Sequence, residues 1–302
     1  MDKKTINLTT VSKIHSLLNQ GAVRHPLISV IDFSKVNFTD GVFPIDARFN
    51  LSFYSLIIKK LDDGILKYGR QNYDSQDGSL FFLAPNQVFK LGDAHAVYGW
   101  GIVFHPDLIY GTSLDKNIQT YSFFSYSNNE ALHVSEEEAS RLTLIVQGID
   151  QELNRATDKH TKSVIISSLE LLLNHCLRYY DRQFDTRSHS NSDTLAKIET
   201  FLLESFNSSN LKNEGLPTVT QCAKYVNLST GYLSDLLKKE TGKSTQEHIH
   251  FYAIEFAKKK LLQSEDTISE IAYELGFKYP QYFSKLFKQK TGITPNNYRQ
   301  LN

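Results

Sequence analysis

The carboxy-terminal third of the chain carries one pattern twice, and this duplication limits the fold more than any other feature of the sequence. Thr218, Gln221, Ala223 and Asn227 recur at an offset of 49 as Thr267, Glu270, Ala272 and Gly276. Tyr232, Ser234, Leu236, Lys238, Thr241 and Gly242 recur at an offset of 50 as Tyr282, Ser284, Leu286, Lys288, Thr291 and Gly292. Self-similarity at a fixed period marks a duplicated supersecondary unit. The sequence therefore predicts two copies of one folding unit between Thr218 and Gly292.

Each copy has the signals of two helices joined by a tight turn. Thr218 and Gln221 have the spacing of a capping box, which starts a helix. Asn227 stands where the chain must turn, and Asn and Gly tolerate a left-handed backbone best. The second copy repeats these signals at Thr267, Glu270 and Gly276. Gly242 and Gly292 are predicted to close the second helix of each copy.

The second helix of each copy combines an apolar stripe with a polar outer face. The stripe has the three and four spacing of one buried face, and its members are Leu233, Leu236, Leu237, Phe283, Leu286 and Phe287. The outward residues are Ser234, Asp235, Lys238, Ser284, Lys285 and Lys288. A small Ala at the helix crossing, a turn and a second helix of this kind are the layout of a helix-turn-helix that enters the major groove of DNA.

A helical segment separates the two copies. Ser244 and Glu247 form a third capping-box pattern, and helical spacing continues to Ser264. A helix of about 19 residues is about 28 Å long, and the major groove returns to one side of DNA about every 34 Å. This segment is predicted to act as a stiff spacer that sets two helices into successive groove segments.

Residues 216 to 300 resemble the DNA-binding domain of AraC/XylS-type transcription regulators. The runs that carry the resemblance are Tyr232–Ser234, Lys238–Lys243, Ile268–Phe277, Tyr282–Lys288 and Thr291–Pro295. The resemblance implies a seven-helix module with two recognition helices that binds double-stranded promoter DNA. It also implies RNA polymerase as a partner, and an amino-terminal domain that senses a ligand and dimerises.

Matching this sequence to the family pattern assigns contacts to DNA. The residues expected to read bases are Ser234, Asp235, Gln281, Ser284 and Lys285. The residues expected to hold phosphates are Thr230, Lys238, Lys243, Lys278 and Lys288. For any single lysine a solvated helix face is the alternative. Three departures from the family pattern concern these contacts. Asp235 occupies a position where many relatives carry Arg, and Tyr279 one where they carry a Ser or Asp cap. The usual basic positions of the linker helix are occupied here by Phe251 and Ala253. We therefore expect the second recognition helix to contribute most of the affinity.

Charge and composition limit the other classes. Lys plus Arg and Asp plus Glu are both 33, whereas Lys278 to Asn302 carries five basic residues and no acidic one, as phosphate contacts require. Cys176 and Cys222 are two distant thiols inside helical patterns, which favours core packing. No signal peptide and no apolar run of about 20 residues is visible. We therefore expect a cytoplasmic protein.

From His25 to about Tyr126 the chain reads as short strands. Runs 27–31, 51–58, 64–68, 79–83 and 97–104 are rich in β-branched and aromatic residues and are separated by turn signals. They predict a small barrel or jelly roll, which in the AraC/XylS family usually resembles a cupin. The expected fold class is a two-domain α+β protein, with a cupin-like barrel and flanking helices at 1–183, a linker at 184–193 and an all-α tandem helix-turn-helix domain at 194–302.

The strands offer no metal site and no cofactor is expected. Metal-binding cupins use a close His-x-His pair and a nearby Glu, because several ligands must converge on one ion, whereas His25, His95 and His105 are solitary. A barrel mouth is a common place for a small ligand. The aromatic candidates for a pocket are Tyr54, Tyr68, Phe82 and Trp100. Core packing is the alternative for each of them.

Two helices follow the strands, from Ser135 to about Asp150 and from Thr161 to Arg182. In the second, a coiled-coil-like spacing of four, three, four and three joins Ile165, Leu169, Leu172, Cys176 and Tyr179. The equivalent helices dimerise in the family, so these five residues are predicted to face a partner subunit. The alternative is that the helix only closes the core of its own domain.

Three functions stay open at this point. The leading one is a homodimeric regulator whose barrel senses a small metabolite. An activator is expected, although the sequence does not fix the sign of regulation. The second is a DNA-binding regulator without a ligand, in which the barrel serves only dimerisation. The third is a cupin-type enzyme, against which the missing His-x-His pair counts.

Overall fold

The computed structural model of the protein describes two compact units, Met1–Thr186 and Arg187–Asn302. Described residues are 5–36, 48–60, 65–68, 71–74, 78–90, 98–126, 130–186, 188–208 and 210–300. No helix among these residues has both the length and the apolar character needed to cross a membrane.

The first unit contains ten described strands and five α-helices. The strands are β1 Thr5–Leu8, β2 Ile28–Asp32, β3 Arg48–Leu51, β4 Tyr54–Lys60, β5 Ile65–Tyr68, β6 Gln71–Asp74, β7 Ser79–Leu83, β8 Val88–Lys90, β9 Tyr98–Phe104 and β10 Leu132–His133. The helices are α1 Val11–Leu17, α2 Pro106–Ile109, α3 Ser113–Asn117, α4 Glu136–Leu153 and α5 Thr161–Thr186. The predicted capping box at Ser135 and Glu138 is confirmed at the start of α4.

The described strands form three open sheets. The largest is antiparallel in the order β10-β7-β4-β9-β2, a smaller one has the order β1-β3-β8, and β5 pairs with β6. None of these sheets closes on itself within the described residues, so the structure does not show the predicted cupin barrel. The run 51–58, predicted as one strand, divides between two sheets. Phe53 turns into the core with 1% of its surface exposed, and the Ser52 N–H donates to the Leu8 carbonyl at 3.1 Å.

The five-stranded sheet is packed on both faces. One apolar core lies between this sheet and the β1-β3-β8 sheet with α1. It includes Val11, Phe33, Phe49, Phe53 and Val103. The space that a barrel would enclose is therefore filled by side chains. Burial of one such side chain stabilises the fold by about 1.5 to 3 kcal/mol.

A second apolar core lies on the opposite face of the sheet. Phe82 of β7 packs against Phe123 with ring centroids 4.4 Å apart, and Phe123 stacks on Tyr180 of α5 at 5.5 Å. Arg182 of α5 forms an ion pair with Glu138, with 2.9 Å between Nε and Oε1, and its guanidinium donates to the His133 carbonyl at 2.7 Å. These contacts fix α5 and the start of α4 to the end of the sheet at β10.

The second unit is helical throughout its described secondary structure. Its helices are α6 Ser188–Asn207, α7 Leu211–Glu214, α8 Val219–Tyr225, α9 Thr230–Thr241, α10 Thr245–Gln263, α11 Ile268–Glu274, α12 Pro280–Thr291 and α13 Pro295–Arg299. The helix predicted to start at Asp193 starts at Ser188, and 184–186 belong to α5, so the predicted linker is largely helical. The segment 184–193 contains no Pro or Gly, the residues that would stop a helix.

The structure extends the sequence duplication by one more element. Ser244 caps α10 by accepting from the Glu247 N–H at 3.4 Å, and Thr294 caps α13 by accepting from the Asn297 N–H at 3.2 Å. These caps are 50 residues apart, the same offset as in the second helices. The helix α13 is therefore the counterpart of the beginning of α10.

Candidate nucleic-acid interface

The first helix of each copy forms as the sequence predicts. Both capping boxes are present, at Thr218 with Gln221 before α8 and at Thr267 with Glu270 before α11. Ala223 and Ala272 are buried where α8 packs against α9 and α11 against α12. A small side chain at this crossing lets the two helices approach closely.

The turns also agree with the prediction. Asn227 has a φ of 57° and Gly276 a φ of 85°, so both adopt the left-handed backbone. The Gly276 carbonyl accepts a hydrogen bond from the Leu216 N–H at 3.1 Å. This bond ties the second turn to the segment that precedes α8.

The helix α9 is held firmly to the start of α10. Its predicted stripe of Leu233, Leu236 and Leu237 is buried, and Thr230 and Lys238 are exposed. Ser234 is half-buried, and its hydroxyl bonds to that of the fully buried Thr245 at 3.0 Å. This residue was predicted to read a base, but in this arrangement its hydroxyl serves the junction between α9 and α10. Asp235 is half-buried on the same helix.

The helix α12 presents a more open outer face. Phe283, Leu286 and Phe287 are buried, and Gln281, Lys285 and Lys288 are exposed, while Ser284 is half-buried. Tyr282 has 50% of its surface exposed, whereas its counterpart Tyr232 has only 5%. The two helices thus share a backbone plan but differ in the chemistry of the surface that they offer.

Lysines surround both helices. Within the described residues Lys238, Lys285 and Lys288 form no ion pair. The Lys243 ammonium lies 4.5 Å from the centre of the Phe251 ring, and the Lys278 ammonium lies 5.7 Å from that of Tyr279. Exposed ammonium groups that form no close ion pair are available to neutralise phosphates.

The Glu247 carboxylate, in the first turn of α10, interacts with the charges of lysines at the ends of α9 and α12. The Ser244 amide and hydroxyl hold the pKa of Glu247 below its usual range, and the charges of Lys290 and Lys238 lower it further. These lysines belong to the last turns of α12 and α9. The carboxy-terminal ends of both helices therefore approach the first turn of α10.

His248 joins the end of α9 to α10 inside the unit. Thr241 donates its hydroxyl to the Leu237 carbonyl at 2.8 Å, and the same hydroxyl oxygen lies 2.8 Å from His248 Nε2. Burial lowers the pKa of His248 below its ordinary value of 6.5, and the Lys243 charge lowers it further, against the opposing effects of Glu199 and Glu247.

We expect the second unit to lose stability as the pH falls below the ordinary pKa of histidine. The folded state keeps His248 neutral, so the unfolded state binds a proton first, and the contribution present above about pH 6.5 is lost on acidification. Urea unfolding at about pH 7.5 and about pH 5.5, followed by far-ultraviolet circular dichroism, measures the loss. His248→Gln should flatten this dependence, and the exposed control His160→Gln should not. An unchanged dependence in His248→Gln would contradict the assignment.

Two of the four residues predicted to line a ligand pocket pack against other side chains of the first unit. Tyr54 stacks on Phe104 with centroids 5.2 Å apart, and burial raises its pKa, with Asp115 adding to the shift. Phe82 is buried in the second core of the first unit. Both therefore take the alternative role as packing residues. Trp100 borders an open groove, and the side chain of Tyr68 lies outside the described residues.

The predicted dimerisation seam is also corrected. Ile165, Leu169, Leu172, Cys176 and Tyr179 are buried inside the first unit, where α5 packs against α4 and β10. Burial raises the pKa of the Cys176 thiol far above its ordinary value. The exposed apolar residues of these two helices are Leu144, Val164 and Leu171. The sequence marks Val164 and Leu171 as apolar residues of α5 outside the seam, but the predicted partner surface was assigned to the more regular seam.

Known proteins match the carboxy-terminal region most consistently. Residues 222–301 match a family model described as a helix-turn-helix domain. Over 83 residues the chain is 37% identical to the uncharacterized HTH-type transcriptional regulator YtdP of Bacillus subtilis, covering 28% of this chain and 11% of that protein. Over 82 residues it is 34% identical to the lactose operon transcription activator of Staphylococcus xylosus, covering 27% and 29%.

One match reaches further along the chain. The uncharacterized HTH-type transcriptional regulator YijO of Escherichia coli is 26% identical over 175 residues, which is 58% of each protein. The chain spans less than two thirds of the length of each of these three relatives. The second unit therefore contains a helix-turn-helix domain. The relatives that match it are named as transcription regulators.

Proposed function

We propose that the protein regulates transcription by binding a specific site in double-stranded promoter DNA. The observation that supports this most is the pair of helices α9 and α12, which repeat at one offset, end in left-handed glycines and carry exposed lysines. Both pack on α10, whose 19 residues make a rigid rod of about 28 Å. Selection of bound sequences from random DNA by the purified protein tests the proposal, and recovery of no common sequence would contradict it.

We assign the larger share of sequence reading to α12. Gln281 and Lys285 are exposed and can pair with adenine and guanine respectively, with Ser284 beside them. In α9 the Ser234 hydroxyl is engaged by Thr245, and Asp235 is the residue assigned to accept from cytosine. The residues assigned to phosphate contacts are Thr230, Lys238, Lys243, Lys278 and Lys288.

Gln281→Ala is expected to weaken binding to the selected sequence by about 1 to 3 kcal/mol and to relax preference at one base pair. Removal of a bidentate donor and acceptor affects the matching base only. Titration of cognate and random DNA by fluorescence anisotropy measures the difference. Gln289→Ala, on the same helix and also exposed, should change neither. Equal losses on both DNAs would refute base reading by Gln281.

Lys288→Ala is expected to weaken all DNA sequences alike. One fewer phosphate contact should reduce the slope of log affinity against log salt by about one. Affinities at several salt concentrations on cognate and random DNA provide the slope. Lys212→Ala, an exposed lysine of α7 outside both recognition helices, serves as control. A loss confined to the cognate sequence would instead make Lys288 a base reader.

We propose that the first unit controls this DNA binding in the cytoplasm. A small-molecule effector, a homodimer and contact with RNA polymerase are the components of this proposal, and activation of transcription is its expected result. The name of the S. xylosus relative describes an activator. Exposed Val164 and Leu171 of α5 replace the buried seam as the dimer surface, and sedimentation of the purified protein tests the dimer. A regulator whose first unit only dimerises would show no ligand-dependent change in melting temperature.

A further inference from the structure

Thr245, the first residue of α10, is a fully buried polar residue at the junction of α9 and α10. None of its surface is exposed, and its hydroxyl lies 3.0 Å from the Ser234 hydroxyl of α9. Within the described part of the chain, Ser234 is the one hydrogen-bond partner of the Thr245 hydroxyl. A hydroxyl without a partner in a protein interior is destabilising. Thr245 therefore holds the Ser234 side chain in this bond.

The start of α10 is itself fixed, so Thr245 is a firm point of attachment. The Ser244 N–H donates to the Glu247 carboxylate at 2.9 Å, and the Ser244 hydroxyl accepts from the Glu247 N–H at 3.4 Å. Both α9 and α12 pack on this helix. The bond between Thr245 and Ser234 thus refers the position of α9 to the helix that also carries α12.

The bond acts on the part of α9 that faces DNA in the proposed function. Ser234 is followed by Asp235, the residue assigned to a base. The far end of α9 is held separately, by the contact of 2.8 Å between Thr241 Oγ1 and His248 Nε2 and by the bond of 3.0 Å from Asn191 to Glu240. Those contacts lie about 9 Å further along the helix axis. Loss of the bond to Thr245 would therefore free the reading part of α9 while its far end stays attached.

The second copy lacks this bond. At the offset of 50 the counterparts of Ser234 and Thr245 are Ser284 and Pro295, and Pro295 is buried but has no hydroxyl. The Ser284 hydroxyl forms no hydrogen bond with any residue that the structure describes. Its helix is instead joined to α13 through the Phe287 and Tyr298 rings, whose centroids lie 5.4 Å apart. The two recognition helices are therefore positioned by different chemistry.

We propose that Thr245 is a positioning residue for base reading by α9, a role that rests on the proposed function. Through Ser234 it sets the rotation of the reading part of α9, and with it the direction in which Asp235 faces the base edges. It also keeps the Ser234 hydroxyl from the DNA, because a contact with a base would leave Thr245 without a partner. Ser284 is under no such constraint, so the duplicate serine contacts a base where Ser234 does not.

The experiment measures preference at two base pairs of the selected DNA. The base pair of α9 is the one at which Asp235→Ala relaxes preference, and that of α12 is the one at which Gln281→Ala does. Affinities for the selected site and for single substitutions at both base pairs are measured by fluorescence anisotropy. Thr245→Val is expected to lower discrimination at the α9 base pair by about twofold to tenfold, the range that one neutral hydrogen bond supplies. Discrimination at the α12 base pair should not change.

Thr245→Ser provides the conservative control, because it keeps the hydroxyl and should discriminate like the parent protein. Ser234→Ala removes the same bond from the other side, and it also carries the test if circular dichroism shows that Thr245→Val does not fold. It should match Thr245→Val, and the double variant should lose no more than either single variant. Ser284→Ala combined with Thr245→Val should instead be additive, since the two act at different base pairs.

Four results would overturn the proposal. They are unchanged discrimination in Thr245→Val, equal losses at both base pairs, a further loss when Ser234→Ala is added to Thr245→Val, and no base pair that responds to Asp235→Ala. The third result would show that the Ser234 hydroxyl contacts DNA itself. Selection with the parent protein comes first, so failure of the DNA-binding proposal is recognised as the recovery of no common sequence. A common sequence with any of these four results leaves that proposal standing.

Discussion

Replacement of Gly276 by alanine is expected to destabilise the second unit by about 3 kcal/mol or more. The backbone of Gly276 has a φ of 85°, which an L side chain adopts only with strain. An added Cβ would also lie 2.6 Å from the Gly215 carbonyl carbon and 2.7 Å from the Leu216 nitrogen. Both are backbone atoms, and moving them breaks the bond from the Leu216 N–H to the Gly276 carbonyl.

Gly292→Ala provides a matched control for this prediction. Gly292 has a similar φ of 84°, but a Cβ there would meet nothing within 4 Å, so its cost should be only that of the left-handed backbone, about 1 to 2 kcal/mol. Urea unfolding followed by circular dichroism compares the variants, and Trp100 emission reports on the first unit separately. Equal costs at the two glycines would show that the close approach at Gly276 contributes nothing.

Phe283→Ala is expected to cost about 3 to 5 kcal/mol, because it leaves a large cavity under α12. The Phe283 side chain is fully buried, with ring centroids 5.2 Å from Phe277 and 5.8 Å from Phe287. These three rings join the turn to the helix that carries Gln281 and Lys285. Affinity for the selected DNA should fall together with stability, since the recognition helix loses its support.

Tyr282→Ala, at the neighbouring position, separates core packing from general effects on α12. With half of its surface exposed, Tyr282 should contribute about 0.5 kcal/mol to stability. Unfolding in urea gives both free energies under the same conditions. A loss for Tyr282→Ala as large as that for Phe283→Ala would mean that the outer face of α12 is packed against another part of the protein.

The second unit was predictable from its sequence because local signals determine it. Capping boxes act within four residues, left-handed turns depend on one residue, and a stripe of Leu or Phe shows which side of a helix is buried. All of these agree with one another between Thr218 and Gly292. The position of Gly215 against Gly276 was not predictable, because that contact joins segments about sixty residues apart in the chain.

The first unit shows where local patterns stop being sufficient. The run 51–58 has the composition of one strand, yet the turn of Phe53 into the core divides it between two sheets. Spacing along α5 correctly marked Ile165 to Tyr179 as an apolar seam, but spacing does not say what covers a seam. The sheet and α4 cover it, so it is not available to a partner subunit.

The candidate sites were predicted to different extents for the same reason. Exposure of Gln281, Lys285 and Lys288 follows from the helical repeat alone. The contact between Ser234 and Thr245 depends on the angle between α9 and α10, which no local pattern contains. The open groove beside α4 is lined by residues of α1, β2, β4, β9 and α4 and by the segment after α1, such as His15, Arg24 and Asp150, and no short motif unites them.

The change of the repeat offset from 49 to 50 makes the two helix-turn-helix copies unequal. The extra residue lies in the second turn. There the exposed residues Lys278 and Tyr279 precede α12, whereas in the first turn Ser229 directly precedes α9. Two unequal recognition helices on one subunit would require a half-site whose two ends differ. In the proposed homodimer each subunit would contact one such half-site, so we expect reversal of one half-site relative to the other to weaken DNA binding.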